Sequence, residues 1–193
     1  GWQRAARLLQ RGKLGWMDGC VVRQSTAPAR VRAFFLDELN RAQEHVLLVS
    51  PYFFPGRRVL EAIEEASNRG VSVELLLAGQ TDHQVLRRAA RVAIPRLIRR
   101  GVQVYEDRRR MMHAKVALFD QTCVIGTSNL DRQSLVHSCE INLVTDGPEV
   151  VSWVREHFPT SADDVTRVDS GSLSARSIGS RVLDELAALL ARL

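Results

Sequence analysis

MHAKVALFDQTCVIGTSNLDRQSLVHSCE, residues 112–140, is the stretch whose reading decides both fold and chemistry. HAKVALFD (113–120) and CVIGTS (123–128) are short apolar runs, joined around Gln121 and Thr122 tightly enough to predict a β-hairpin. EINLVTD (140–146) then supplies a further strand.

Working upstream, VQVYED (102–107) reads as another strand, and before it helical stripes alternate with β-rich runs. Val31, Phe34, Phe35 and Leu39 form one stripe; Val59, Leu60, Ile63 and Ala66 form a second, closed by Gly70 where a helix C-cap belongs. HVLLVSPYF (45–53) and VSVELLLA (71–78) are the strands between them. Residues 83–101 read as a helix kinked at Pro95 and stopped at Gly101. Downstream, PEVVSWVREHF (148–158) is a helix with Pro148 at its start. This order predicts an α/β fold, a mixed β-sheet with helices on its faces.

Three segments follow: residues 1–29 as an N-terminal segment, a truncated linker, since GWQRAARLLQRGK opens like the middle of a protein; residues 30–158 as the folded domain; and residues 159–193 as an extension. That extension ends in a helix whose stripe is Ile178, Val182, Leu186, Leu189 and Leu193. Such a stripe packs on the core or a partner chain, or lies on a membrane surface.

Composition bounds the function. At 193 residues and 45% hydrophobic, the chain can bury one sizeable core. No run reaches the roughly 18 apolar residues of a membrane-spanning helix, and no signal-peptide pattern opens the chain, so a soluble or peripherally attached protein is expected. Cys20, Cys123 and Cys139 have neither ligand spacing nor an even count, which predicts buried small hydrophobes in a reducing compartment. The net charge of +5 favours anionic partners: nucleic acid, lipid head groups or phosphorylated substrates. Of 27 basic residues only Lys13 and Lys115 are lysine, so Lys115 marks a place where a compact point charge is wanted.

The chemistry gathers in the opening stretch. His113 and Lys115, two apart on a strand, leave the same face of the sheet. An imidazole beside an ammonium makes sense around a phosphate, with Lys115 neutralising its oxygens and the neutral ring attacking phosphorus. Thr127, Ser128 and Asn129 supply hydroxyl and amide groups, and Gly126 lets the backbone approach closely. Glu140 is the best-placed carboxylate to hold the ring in one tautomer. A lone His with Lys at i+2 is mostly an edge-strand coincidence; the full set is not.

HAKVALFD followed by GTSN resembles the HxKxxxxD and GSxN signature of the phospholipase D superfamily, and the likeness runs over about residues 30–158. VSPYFFP and SNLD make it most similar to the C-terminal half of bacterial cardiolipin synthases. The resemblance implies a phosphohistidine on His113, phosphate binding by Lys115 and Asn129, Thr127 in the usual serine position, and Glu140 orienting the nucleophile. Asp120 closes the catalytic signature with a structural or orienting part. No metal or cofactor is implied. Five residues rather than six separate Asp120 from Gly126, a shortening absorbed by the turn or expressed as a register slip.

The family reaction needs two histidines, and only one motif is present, so a second HKD half in a longer chain or a second copy is the implied partner. The expected activity is phosphatidyl transfer from an anionic, phosphatidylglycerol-like phospholipid, peripherally at the cytoplasmic face of a bacterial inner membrane, or otherwise in the cytoplasm. A dimeric phosphodiesterase or nuclease, with nucleic acid as partner, and an inert membrane- or partner-binding half are the alternatives. Asp82 falls where α/β sheets place ligand loops; His83 and His137 read as surface residues, and Tyr52, Phe53 and Phe54 as core or pocket wall. Arg108, Arg109 and Arg110 read as a solvated turn or a head-group clamp.

Overall fold

The computed structural model describes residues 9–14, 17–24, 29–108, 112–160, 163–169, 171 and 176–191. Its strands are β1 (Leu9–Leu14), β2 (Met17–Gln24), β3 (His45–Ser50), β4 (Phe53–Phe54), β5 (Ser72–Ala78), β6 (Gln103–Asp107), β7 (Val116–Phe119), β8 (Thr122–Gly126), β9 (Leu130–Asp131), β10 (Glu140–Thr145) and β11 (Val165–Arg167). Its helices are α1 (Arg30–Arg41), α2 (Arg57–Asn68), α3 (Gln84–Arg99), α4 (Pro148–His157) and α5 (Ile178–Leu190), with a π-helical turn at Gln133–His137.

The sheet is mixed, as expected. Its order is β1-β2-β10-β8-β7-β3-β5-β6-β11. Only β3-β5-β6 pair in parallel, through α2 and α3 as crossovers; every other neighbour is antiparallel. The central strands are apolar at consecutive positions because both faces are covered. In β3, Val46 and Leu48 face the core beneath α1, α2 and α3, while Leu47 and Val49 face the one beneath α4. β5 divides in the same way, Val73, Leu75 and Leu77 against Leu76 and Ala78. Each fully buried Leu in these rows is worth about 1.5–3 kcal/mol.

The helical stripes point inward as read: Val31, Phe34, Phe35 and Leu39 are all buried in α1, and Val59, Ile63 and Ala66 in α2. Gly70, just past the end of α2, has φ 91°, a left-handed conformation that favours glycine. Pro95 lies inside a continuous α3.

Three sequence expectations meet a different structure. Residues 9–24, read as linker, form β1 and β2, and β2 pairs with β10 to extend the sheet. Cys20 and Val22, buried against β10, are the apolar alternation that marks β2. The extension after residue 158 adds β11 to the edge of β6 and packs α5 against α3. α5 docks through Asp184, Ala187 and Ala188, leaving Ile178, Val182, Leu186 and Leu189 exposed, so its apolar stripe does not reach this chain's core. Asp184 pairs with Arg176 at 2.5 Å and Arg88 at 3.4 Å, and the two alanines let the helices approach closely. Leu193, Arg109 and Arg110 lie outside the described residues. Cys20 and Cys123 are buried, burial pushing the Cys123 thiol up to about 11, whereas Cys139 is exposed.

Candidate active site

The β7–β8 hairpin sets the register of the site. Phe119 pairs with Thr122 and Val116 with Ile125 without a bulge, so Asp120 and Gln121 alone make the turn, and the missing residue is lost there. Asp120 has φ 52°, which a short polar side chain tolerates better than most. The ladder continues one step beyond the strands, the Gly126 N–H donating to the Lys115 carbonyl at 3.2 Å. Gly126 is in turn opposite Asn142 of β10. A Cβ on Gly126 would collide with the Ile141 carbonyl and with Asn142, whose Cα would lie 2.7 Å away, so a glycine is required there.

His113 and Lys115 precede the strand proper, which begins at Val116. His113 is exposed and Lys115 half-buried. The Lys115 Nζ lies 2.9 Å from His113 Nδ1, 3.2 Å from Nε2 and 3.0 Å from the His113 carbonyl oxygen. Burial holds the Lys115 ammonium below its ordinary range, against the opposing pull of Glu140, Asp131 and Asp82.

A second wall comes from the carboxyl ends of the parallel strands, where open α/β sheets hold their ligands. After β3, the Ser50 hydroxyl donates to the Tyr52 carbonyl at 2.7 Å and accepts from the Leu130 N–H at 3.0 Å, tying Tyr52 and the segment after Asn129 to one anchor. After β5, Asp82 accepts from the Tyr52 phenol at 2.6 Å. That hydrogen bond, helped by His83 and His113, holds the Asp82 carboxyl below its usual range. Burial, with Asp82 and Asp131 adding to it, pushes the Tyr52 phenol up to about 12. The Tyr52 ring stands edge-on to His83 at 5.0 Å and to His113 at 6.1 Å.

The remaining expected residues divide. Glu140 is buried and accepts a hydrogen bond from the Thr127 hydroxyl, which in turn accepts from the Ile141 N–H at 3.0 Å. Ser128 is buried and its hydroxyl accepts from the Asn142 amide at 2.8 Å, so it braces the loop instead of facing outward. Asn129 carries a buried amide oxygen with no hydrogen-bond partner among the described residues. A buried amide oxygen without a partner has unused capacity to accept a hydrogen bond.

Asp120 lies at the far end of the hairpin. Its carboxylate accepts from the backbone N–H groups of Gln43 at 3.0 Å and of Glu44 and His45 at 2.9 Å. Burial works against its charge, but those hydrogen bonds prevail and hold its carboxyl below 3.8. It fastens the start of β3 and has no place beside His113, which agrees with the structural part and not with direct chemistry. Among the described residues, no cluster of three or more His, Cys, Asp or Glu side chains is placed to hold a metal ion.

Residues 35–161 match the family described as "Cardiolipin synthase, PLD-like domain". The chain belongs to that family. It is 37% identical over 149 residues to cardiolipin synthase B of Salmonella typhi, covering 76% of this chain and 36% of that protein. It is 30% identical over 156 residues to a cardiolipin synthase of Clostridium perfringens, covering 80% and 33%. The chain thus spans about a third of the length of these relatives. Among solved structures, a phosphatidylserine synthase of Haemophilus influenzae is similar with a TM-score of 0.69 at 14% identity, over 94% of this chain and 47% of that one. Nuc, a phospholipase D family member from Salmonella typhimurium, is similar at 0.65 and 19% identity, over 78% and 99%. The phospholipase D-like fold read from HAKVALFD and GTSN is the fold observed.

The residues that sequence reading did not single out are Ser50 and Asn142. Each is a buried polar group inside an apolar run, HVLLVS and EINLV, and that mismatch with its surroundings is the signal that could have found it.

Proposed function

We propose that this chain is one catalytic half of a phosphatidyltransferase of cardiolipin-synthase type, with His113 as nucleophile. The observation that carries the reading is the exposed His113 ring, with its Nδ1 2.9 Å from the Lys115 Nζ, within a chain of this family. The unprotonated ring nitrogen attacks the phosphorus of an anionic, phosphatidylglycerol-like diester. An N–P bond forms as the bond to the glycerol oxygen breaks. Lys115 and the N–H groups of the Asn129 side chain stabilise the charge that develops on the phosphoryl oxygens. Glu140 keeps Thr127 in place beside them.

The glycerol oxygen needs a proton, and its donor is a histidine of a second motif, contributed by another half of a longer chain or by a second copy. That histidine then takes the proton of the incoming lipid hydroxyl, which attacks the phosphohistidine and releases His113. An exposed nucleophile supports the need for a covering partner, since water must be kept from the intermediate. No helix among the described residues is long and apolar enough to cross a membrane, and the proposal puts the chain peripherally at the cytoplasmic face of a bacterial inner membrane.

The test is to supply phosphatidylglycerol to the chain joined to its complementary half and to trap phosphorylated His113 by mass spectrometry. The diphosphatidyl product is expected, and His113→Ala should abolish both signals; turnover retained in that variant refutes the assignment. Cleavage of plasmid DNA with no lipid product would instead favour a phosphodiesterase using water.

A further inference from the structure

Beside the catalytic cluster lies a cleft that the reaction above does not use. It has a volume of about 730 Å³ and is walled by α2, α3 and the β4·β9 ribbon, with Arg32 of α1 and Ala188 of α5 at its border. Such a volume suits a ligand of lipid or cofactor size. Its lining contains Arg32, Arg57, Arg58, Arg96 and Arg132 against one lining carboxylate, Glu64, which pairs with Arg96, while Arg57 pairs with the neighbouring Glu61 at 2.7 Å. Its apolar lining includes Phe54, Leu60, Val92 and Val136. An excess of guanidinium groups over an apolar floor matches an anionic amphiphile, phosphate on the rim and hydrocarbon below.

Two connections give the cleft a direction. β4 and β9 run parallel, Phe53 beside Leu130 and Phe54 beside Asp131. Tyr52 and Asn129 enter this ribbon from the catalytic cluster, while Phe54 and Arg132 line the cleft, so the two sites are separated by about 7–10 Å of extended chain. On its other side the cleft meets α5 at Ala188, and α5 turns Ile178, Val182, Leu186 and Leu189 outward, between half and three-quarters exposed. An apolar helix face of this kind is one that a lipid surface covers.

We infer that the arginine-rimmed cleft holds an anionic phospholipid of the membrane surface, its phosphate on the guanidinium rim and its acyl chains on the apolar floor, with the exposed stripe of α5 resting on that same surface. The inference deepens the phosphatidyltransferase reading, because it adds a lipid-holding site next to the reacting one. Binding read in the His113→Ala chain needs no turnover, so loss of the chemistry and loss of the cleft are separate results.

The experiment measures binding of that chain to phosphatidylglycerol vesicles, to phosphatidylcholine vesicles and to a soluble short-chain phosphatidylglycerol. At least tenfold tighter binding to the phosphatidylglycerol vesicles is expected. Arg32→Glu with Arg58→Glu should weaken it tenfold, as should Val92→Trp, which fills the floor and leaves the rim charge intact. Arg99→Glu with Arg100→Glu, at the exposed end of α3, should weaken it less than twofold. Leu186→Glu with Leu189→Glu should abolish vesicle binding while the soluble lipid still binds. Circular dichroism checks the fold of each variant, and Arg58, being exposed, can be reversed alone if the floor variant does not fold. Equal losses at the control arginines, unchanged binding with Val92→Trp, or capture of a duplex oligonucleotide in place of either lipid would each overturn the inference.

Discussion

The two ends of the β7–β8 hairpin are built to opposite rules. At the tip, both Asp120 oxygens are taken by three backbone N–H groups, and the Asp120 N–H itself donates to the His45 carbonyl at 2.8 Å. At the base, His113 is exposed, Lys115 is held below its ordinary range by burial, and the Asn129 amide oxygen is buried without a partner among the described residues. A strand of four residues, about 13 Å, separates them. Polar groups that are fully paired stabilise a fold, while those left with spare capacity and a desolvated charge are held in place for a ligand. One short signature, HxKxxxxD, therefore contains a chemical end and a scaffolding end.

The sharpest way to break this division is at its chemical end. Asn129→Ala and Lys115→Ala should each lower kcat/KM for lipid transfer by about 10²–10³ in the paired protein, with thermal midpoints within about 2 °C of the parent. A large loss of stability in either would erase the contrast.

At the scaffolding end the expected effect is on folding. Asp120→Ala removes three charge-assisted hydrogen bonds to the start of β3 and should cost about 2 kcal/mol by denaturant unfolding, while kcat/KM of the folded fraction changes less than about threefold. The pH dependence sharpens the point. Because the folded Asp120 carboxyl titrates below 3.8, its stabilisation is present above that value and disappears as the pH falls through the lower folded one. Asp120→Asn should therefore flatten the acid limb of stability below about pH 4, and an unchanged limb would show that the carboxylate contributes nothing.

The smallest expected effect lies between the two ends. Tyr52→Phe removes the donor that holds Asp82 below its usual range, so the Asp82 carboxyl should return toward 3.8. Transfer should slow by about three- to tenfold, with its acid limb moved upward in a pH–rate profile. With its phenol pushed up to about 12, Tyr52 itself stays protonated near neutrality.

Much of this was legible in the chain. The α1 stripe was readable because burial on one side of a helix leaves a 3.6-residue period, and Val31, Phe34, Phe35 and Leu39 bear it out. The candidate set His113, Lys115, Thr127, Asn129 and Glu140 was readable because the motif keeps these residues at narrow spacings around one hairpin and the strand after it. Residues 9–24 were not, since β1 at the sheet edge and β2 beside it carry a weaker apolar pattern than a strand buried on both faces. The α5 stripe was visible, but which way it faced was not: Asp184 bonds to Arg88, far away in the chain, and that pair turns the helix.

By itself, then, the sequence determined the mixed sheet, its central helices and the family, because periodicity and motif spacing are local properties that survive in one dimension. Only the tertiary structure decided that Asp120 braces β3, that Ser50 joins Tyr52 to the segment after Asn129, and that five arginines from three helices and the segment after β9 surround one cleft. Those relations depend on which distant segments are brought within hydrogen-bonding or charge range, and no local pattern encodes that distance.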